Sequence, residues 1–355
     1  MGRPVSVALA AVALAVAALI SGCDTLGYYA QSVSGHLALV GSARPIDDWL
    51  ADPAVDATLK ERLVLARRIR DFAVSELDEP DNASYRRYAD LKRPAAVWNV
   101  VAAPELSLKL RTWCFPVVGC VGYRGYYDLV GAQSFAAGLR AEGLETSVYA
   151  VPAYSTLGML PLDWFADPLL STFIRYPEGE LARIIFHELA HQIVYVPGDT
   201  VFNESFATAV ERLGGERWLA THASAQARED YARFDARRRD FRALTTKYRA
   251  ALEALYASDL PDAEKRARKA ELYAELQSDY RTMKQQRWDG FAGFDPWFER
   301  VNNAALGVLG AYNELVPGFM RLFEAEGRDF PRFYAEVRRI AALDREGRRA
   351  ALAQP

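Results

Sequence analysis

Two of the four histidines fall in one short run, Phe186-His187-Glu188-Leu189-Ala190-His191-Gln192. On a helix, positions i and i+4 share a face, so the imidazoles of His187 and His191 point to one spot and can bind one zinc ion. Glu188 lies about 100° around the same helix, close enough to reach a zinc-bound water. Zinc lowers the pKa of that water towards about 7 and polarises a carbonyl; the Glu takes the proton and passes it to a leaving amine. The chemistry expected is therefore hydrolysis of an amide bond with Glu188 as general base. By itself the spacing is a weak signal, because a surface helix can carry it by chance. Two His also leave the site one protein ligand short. Glu204, in Asn203-Glu204-Ser205-Phe206-Ala207, is the expected third ligand, with Asp199 and Glu211 as its rivals. Two His and one Glu keep the fourth zinc position open, as a catalytic site requires. Glu211 is alternatively placed to hydrogen-bond a ligand imidazole. An oxyanion stabiliser is expected as well, and Tyr154 and Tyr312 are the candidates. With 18 tyrosines in the chain, each has the competing reading of a packed aromatic.

These residues need two helices and a tight link between them. Pro177 suits a helix start, and Glu178 and Glu180 suit its positive end. The first helix is expected to stop near Val196-Pro197-Gly198-Asp199. The second is expected to start close to Phe202 and to end at Leu213-Gly214-Gly215.

His187-Glu188-Leu189-Ala190-His191-Gln192 and the run Asn203-Glu204-Ser205-Phe206-Ala207 to Glu211-Arg212-Leu213-Gly214 together resemble the zinc signature of gluzincin metallopeptidases, especially the aminopeptidase N type. From its N-terminal leader through Trp113-Cys114-Phe115-Pro116 to its helical tail, the chain further resembles a bacterial family of aminopeptidase lipoproteins. The resemblance implies that His187, His191 and Glu204 are the zinc ligands and Glu188 the base. Twelve residues separate His191 from Glu204, a shorter link than gluzincins use, so the shape of the surrounding cleft does not carry over. The edge strand that recognises a free substrate amine in aminopeptidase N has no clear counterpart. Ala153 to Gly158 lies at a similar distance upstream but contains no Glu. Peptidase chemistry thus follows from the residues, whereas the aminopeptidase label follows from the family.

Elsewhere the chain has an ordinary globular composition: 51% apolar, 25% charged, with a net charge of −3. That balance sets up no field for phosphates and disfavours a nucleic-acid partner. Val7 to Ile20 is an unbroken apolar run, too short to span a bilayer, and Leu19-Ile20-Ser21-Gly22-Cys23 resembles a bacterial lipobox. Residues 1–22 are expected to be a lipoprotein signal peptide and Cys23 the lipidated N-terminus. The mature chain is then anchored to a membrane of the cell envelope and faces the periplasm. Cys114 and Cys120 are a possible disulfide, since an exported chain meets oxidising conditions.

Residues 23–93 are expected to form an N-terminal helical segment and 94–220 a zincin-like catalytic core. The core carries a small sheet with strands near Ala95–Ala102, Val121–Tyr127 and Ser147–Val151. Gly119, Gly122 and Gly125 read as tight turns between short strands. Residues 221–290 predict a charged helical hairpin broken at Pro261, with Phe234, Phe241, Tyr248 and Leu255 at heptad spacing. It either packs on the body or binds an unknown protein partner. Residues 291–355 are expected to be a C-terminal helical segment. The fold class expected is α+β, predominantly helical, and the function a zinc-dependent peptidase of the cell envelope acting on a peptide substrate. The alternatives are a non-enzymatic envelope scaffold and a zinc amidase with a non-peptide substrate.

Overall fold

The computed structural model describes residues 26–115, 119–153, 156, 163–311 and 314–353. The expected leader over 1–22, Cys23, Tyr154 and Tyr312 lie outside the described residues. Among the described residues helices dominate and the strands are short, as an α+β chain rich in helix requires. No helix among them is long and apolar enough to cross a membrane.

The chain opens with helix α1 (residues 26–41), strand β1 (Arg44–Pro45) and helices α2 (Ile46–Ala51) and α3 (Ala57–Leu77). Asp56 caps α3 by accepting from Leu59 N–H at 2.9 Å. Asp78 ends it in the left-handed region at φ 53°, two residues before Pro80. The expectation of a helical segment over residues 23–93 is corrected beyond that point. Strand β2 (Arg87–Ala89) pairs antiparallel with β1 and, at a distance in sequence, parallel with β8 (Leu169–Leu170). A three-residue strand supported by partners this remote leaves too short a local pattern to read.

The second sheet has the order β6-β3-β7 and is antiparallel throughout. Its centre is β3 (Val97–Pro104), paired with β7 (Leu144–Val151) from Val97↔Val151 to Pro104↔Leu144. The other edge is β6 (Arg124–Tyr126). Residues alternate between the two faces of β3, and both faces are covered. Val100 and Ala102 pack with Ala132, Ala136 and Leu139 of helix α4 (Leu129–Ala141), whereas Val101 and Ala103 pack with Ala304 on α10 (Asn303–Ala311). Strands β4 (Trp113–Phe115) and β5 (Gly119–Val121) form a separate hairpin, in which Cys114 and Cys120 are joined as a disulfide.

Helices α5 (Glu178–Ala190) and α6 (Thr200–Thr221) run antiparallel. Glu178, at the start of α5, accepts from Trp218 Nε1–H near the end of α6 at 3.0 Å. The last turn of α5 faces the first turn of α6, where Glu204 lies. The expected stop at Leu213-Gly214-Gly215 is corrected: α6 continues through both glycines to Thr221. They are spacers between helices rather than a terminus. A Cβ on Gly214 would lie 2.6 Å from Leu77 Cδ1 and 2.9 Å from Phe186 Cδ2, and one on Gly215 would lie 2.9 Å from Arg183 Cγ.

Helices α7 (Ala225–Ala257) and α8 (Asp262–Arg287) form the expected hairpin, turning at Pro261. Phe241, Leu244, Tyr248 and Leu255 are buried against Leu272, Leu276 and Tyr280, together with Leu108, Phe298 and Leu306 from outside the hairpin. Helices α9 (Asp295–Phe298), α11 (Val316–Ala325), α12 (Phe330–Ala341) and α13 (Arg345–Ala353) complete the chain. One apolar core runs from Leu39 and Leu63 through Phe186 and Phe206 to Phe319 and Leu352. The helices that carry the histidines and Glu204 are therefore packed from both ends of the sequence.

Candidate metal centre

Helix α5 buries one broad face. Leu181, Ala182, Ile185, Phe186, Leu189 and Ala190 are fully enclosed, which fixes the direction of the remaining face. His187 and His191 project from that remaining face. His191 is the C-cap of α5 and keeps helical backbone angles, so the i, i+4 relation survives to the end of the helix.

The link to Glu204 is held by side chains. Asn203 donates to Val196 O and accepts from Val196 N–H, both at 2.8 Å, which straps the loop onto the first turn of α6. Asp199 caps α6 through Phe202 N–H and forms a buried ion pair with Arg348 of α13, at 2.9 Å to Nε and 2.8 Å to Nη2. Asp199 therefore has a structural role, and the structure does not bring it to the histidines.

Glu204 is brought there. Its Oε2 lies 3.3 Å from His187 Nε2 and 3.8 Å from His191 Nε2. The two imidazole rings stand edge to face, with centroids 4.9 Å apart. Ligand atoms of His187, His191 and Glu204 all lie within 4.8 Å of one another, and among the described residues this is the one such cluster of His, Cys, Asp and Glu. Glu211 takes the other side of His187, with Oε2 3.1 Å from Nδ1. A cation that displaced the proton from Nε2 would find that lone pair directed towards Glu204, with Nδ1–H still donated to Glu211. Glu211 also accepts from Arg183, which sits one turn before His187 on α5.

The electrostatics favour positive charge at this spot. Burial works against a charged His187, but hydrogen bonds to Glu204 and Glu211 outweigh it and hold the imidazole well above its usual range. Burial would raise Glu204, yet the neighbouring His191 and His187 hold its carboxyl low. Burial raises Glu211 too, and Arg183 and His187 more than reverse that. His191 goes the other way: burial pushes it down to about 4, so it is a neutral imidazole with a lone pair to offer. Its buried Nδ1 has no hydrogen-bond partner among the described residues. Two imidazoles and a carboxylate of this kind make a donor set that fits a zinc ion.

Glu188 stands beside the ligands without joining them. Burial, chiefly, pushes its carboxyl up to about 8, and Glu204 adds to the effect while His187 opposes it. A bound cation would pull it down again. Three further tyrosines lie within electrostatic reach of Glu204. Tyr149 of β7 is raised to about 12 by burial, with a further push from Glu204. Tyr123 and Tyr195 are raised first by burial and then by Glu204, and Tyr123 also senses Glu188. Nothing local distinguishes these three among 18 tyrosines, because they meet only through the β6-β3-β7 sheet and the loop after α5. Arg183 did leave a signal, since it lies four residues before His187 on the same helical face.

No curated protein and no solved structure matches the chain. A family model described as "Putative aminopeptidase" matches residues 27–352, a span that takes in both helices of the site and every helix packed on them, and the chain belongs to that family.

Proposed function

We propose that the chain is a zinc-dependent peptidase of the cell envelope, and that its family designation makes it an aminopeptidase. The observation that carries this reading is the meeting of His187, His191 and Glu204 beside Glu188, a carboxylate that holds no ligand position. His187 Nε2, His191 Nε2 and Glu204 would hold the ion. Zinc bound there supplies a Lewis acid next to the reacting carbonyl and lowers the pKa of water. Glu188 accepts a proton from the attacking water at its carboxylate and delivers it to the leaving amine. Glu211 fixes the ring of His187, and Arg183 fixes Glu211. Tyr149 and Tyr123 remain protonated near neutral pH and supply O–H donors for a developing oxyanion. Attachment through a lipidated Cys23, a periplasmic setting and an absence of nucleic-acid partners are proposed with it, on the strength of the leader and the charge balance.

A zinc titration of purified variants tests the ligand set. Glu204→Ala is expected to lose zinc at concentrations that saturate wild type. Asp199→Ala keeps it, although leaving Arg348 buried without its partner costs about 3–5 kcal/mol of stability. Glu211→Gln binds zinc roughly 10–100-fold more weakly, through the loosened His187 ring. If Glu204→Ala binds as tightly as wild type, the ligand set is wrong.

A further inference from the structure

A cavity of about 550 Å³ opens between the disulfide hairpin β4–β5, the start of α6, and helices α7, α10 and α13. Its volume is in the range of small-ligand sites. None of the three metal-ligand residues lines it, but two elements join it to them. Tyr123 is one of its walls and is also within electrostatic reach of Glu204 and Glu188. Thr200 and Val201 form another wall, and Glu204 follows Thr200 by about one helical turn, a rise of roughly 6 Å.

The lining charge is unlike that of the chain as a whole, which is net −3. Lys109, Arg249, Arg345 and Arg349 face Glu253 and Glu314. Two of the cations are neutralised locally: Arg249 pairs with Glu253 at 3.2 Å, and Arg349 pairs with Glu314. Lys109 and Arg345 have no acidic partner among the described residues. Arg345 donates instead to Gly198 O at 2.8 Å, in the loop between the two site helices. Arg249 spends its charge on Glu253, and its Nε–H is closed off from the cavity. It lies so close to α10 that a Cβ on Gly310 would come within 2.6 Å of its guanidinium. Two surplus positive charges in the wall of one cavity favour an anion there.

We propose that this cavity receives the C-terminal side of a short peptide substrate, with the free α-carboxylate held by Lys109 and Arg345. On the peptidase reading given above, on which this rests, the scissile carbonyl lies at the His187–His191–Glu204 centre and the departing amine side extends past Tyr123 into the cavity. A substrate ammonium would be repelled from these walls, which sets the polarity of the bound chain. The substrates are then short peptides with a free C-terminus rather than the interior of long chains.

The test uses zinc-loaded Glu188→Gln protein, trialanine and trialanine amide, with affinities read by calorimetry at low and high salt. The free acid is expected to bind about tenfold more tightly than the amide, and the advantage shrinks as salt rises. Lys109→Glu and Arg345→Glu, both at exposed positions, should each remove most of that advantage. Equal binding of the two peptides, binding of neither, or an advantage untouched by both substitutions overturns the proposal. Cleavage by wild type is scored separately. Acid and amide cut equally well would remove the carboxylate site and leave the peptidase; a binding preference without cleavage would keep the site and remove the peptidase.

Discussion

Two carboxylates, Glu188 and Glu79, show how similar burial serves opposite ends. Glu188 is beside the proposed metal ligands, and its raised carboxyl would be returned by a cation to the range a general base needs. Glu188→Gln removes the base and no ligand. Zinc content should equal that of wild type while turnover falls by on the order of 10² or more. Full turnover with zinc in place would show that another group takes the proton. Glu79 follows the end of α3, is 3% exposed, and neither of its carboxylate oxygens has a hydrogen-bond partner among the described residues. Burial raises it well above its usual value, and the attraction of Arg70 does not compensate. The unfolded chain releases this proton near pH 4–4.5, whereas the folded chain keeps it. The folded state therefore binds more protons than the unfolded one, and stability is lost as pH rises above that point. Glu79→Gln cannot titrate, so its stability relative to wild type should rise from pH 4 to pH 8. Denaturant midpoints at the two pH values check this; a constant difference would mean that Glu79 ionises freely in the fold.

At the scale of elements, the site is a contact between two helices, and its geometry is set by how closely they approach. Gly214 lies on α6 against Leu77 and Phe186, both fully buried and unable to move aside cheaply. Gly214→Val should destabilise the protein by about 2–3 kcal/mol through overpacking, and should weaken zinc binding by displacing α5 from α6. Gly138, in α4, has open space where a Cβ would go. Gly138→Ala is the control, expected to stabilise by roughly 0.5–1 kcal/mol through helix propensity alone. Thermal unfolding of the two variants, with zinc titration of the first, tests the spacer role. The hairpin α7–α8 also reaches the site through charge. Arg238 of α7 binds Glu180 of α5 in a two-pronged pair at 2.8 and 2.9 Å, and Arg183, next to Glu180, holds Glu211. The hairpin thus packs on the body and buttresses the groups that orient His187.

For the whole molecule, the question is where the chemistry is held. The apolar core gathers segments from Leu39 to Leu352, and the Asp199–Arg348 pair ties the last helix to the start of α6. The geometry of the candidate site consequently depends on the chain closing on itself and not on the central segment alone. The proposed anchoring is independent of this site. Cys23→Ala should release the protein from membranes or block its processing, as fractionation of cells expressing the variant will show. A variant that is processed and remains membrane-bound like wild type would refute lipidation at Cys23.

Local spacing by itself determined the parts of the site that one helix can write. His187, Glu188 and His191 are related by helical geometry alone; the third ligand was left open among Glu204, Asp199 and Glu211, with Glu204 favoured by the gluzincin resemblance. The hairpin was legible for the same reason, since a heptad of large apolar residues has one helical reading. Tertiary structure alone decided what depends on distant partners. Gly214 and Gly215 look like a helix end, yet they are spacers, because only the approach of Leu77, Phe186 and Arg183 shows why a side chain is excluded there. Asp199 was a plausible ligand in sequence and is claimed by Arg348, nearly 150 residues away. Tyr123, Tyr149 and the cationic cavity have no local pattern at all. They exist only where strands, loops and four helices meet, and hydrophobic burial, which is non-directional, brings such groups together without leaving a mark in the spacing of residues.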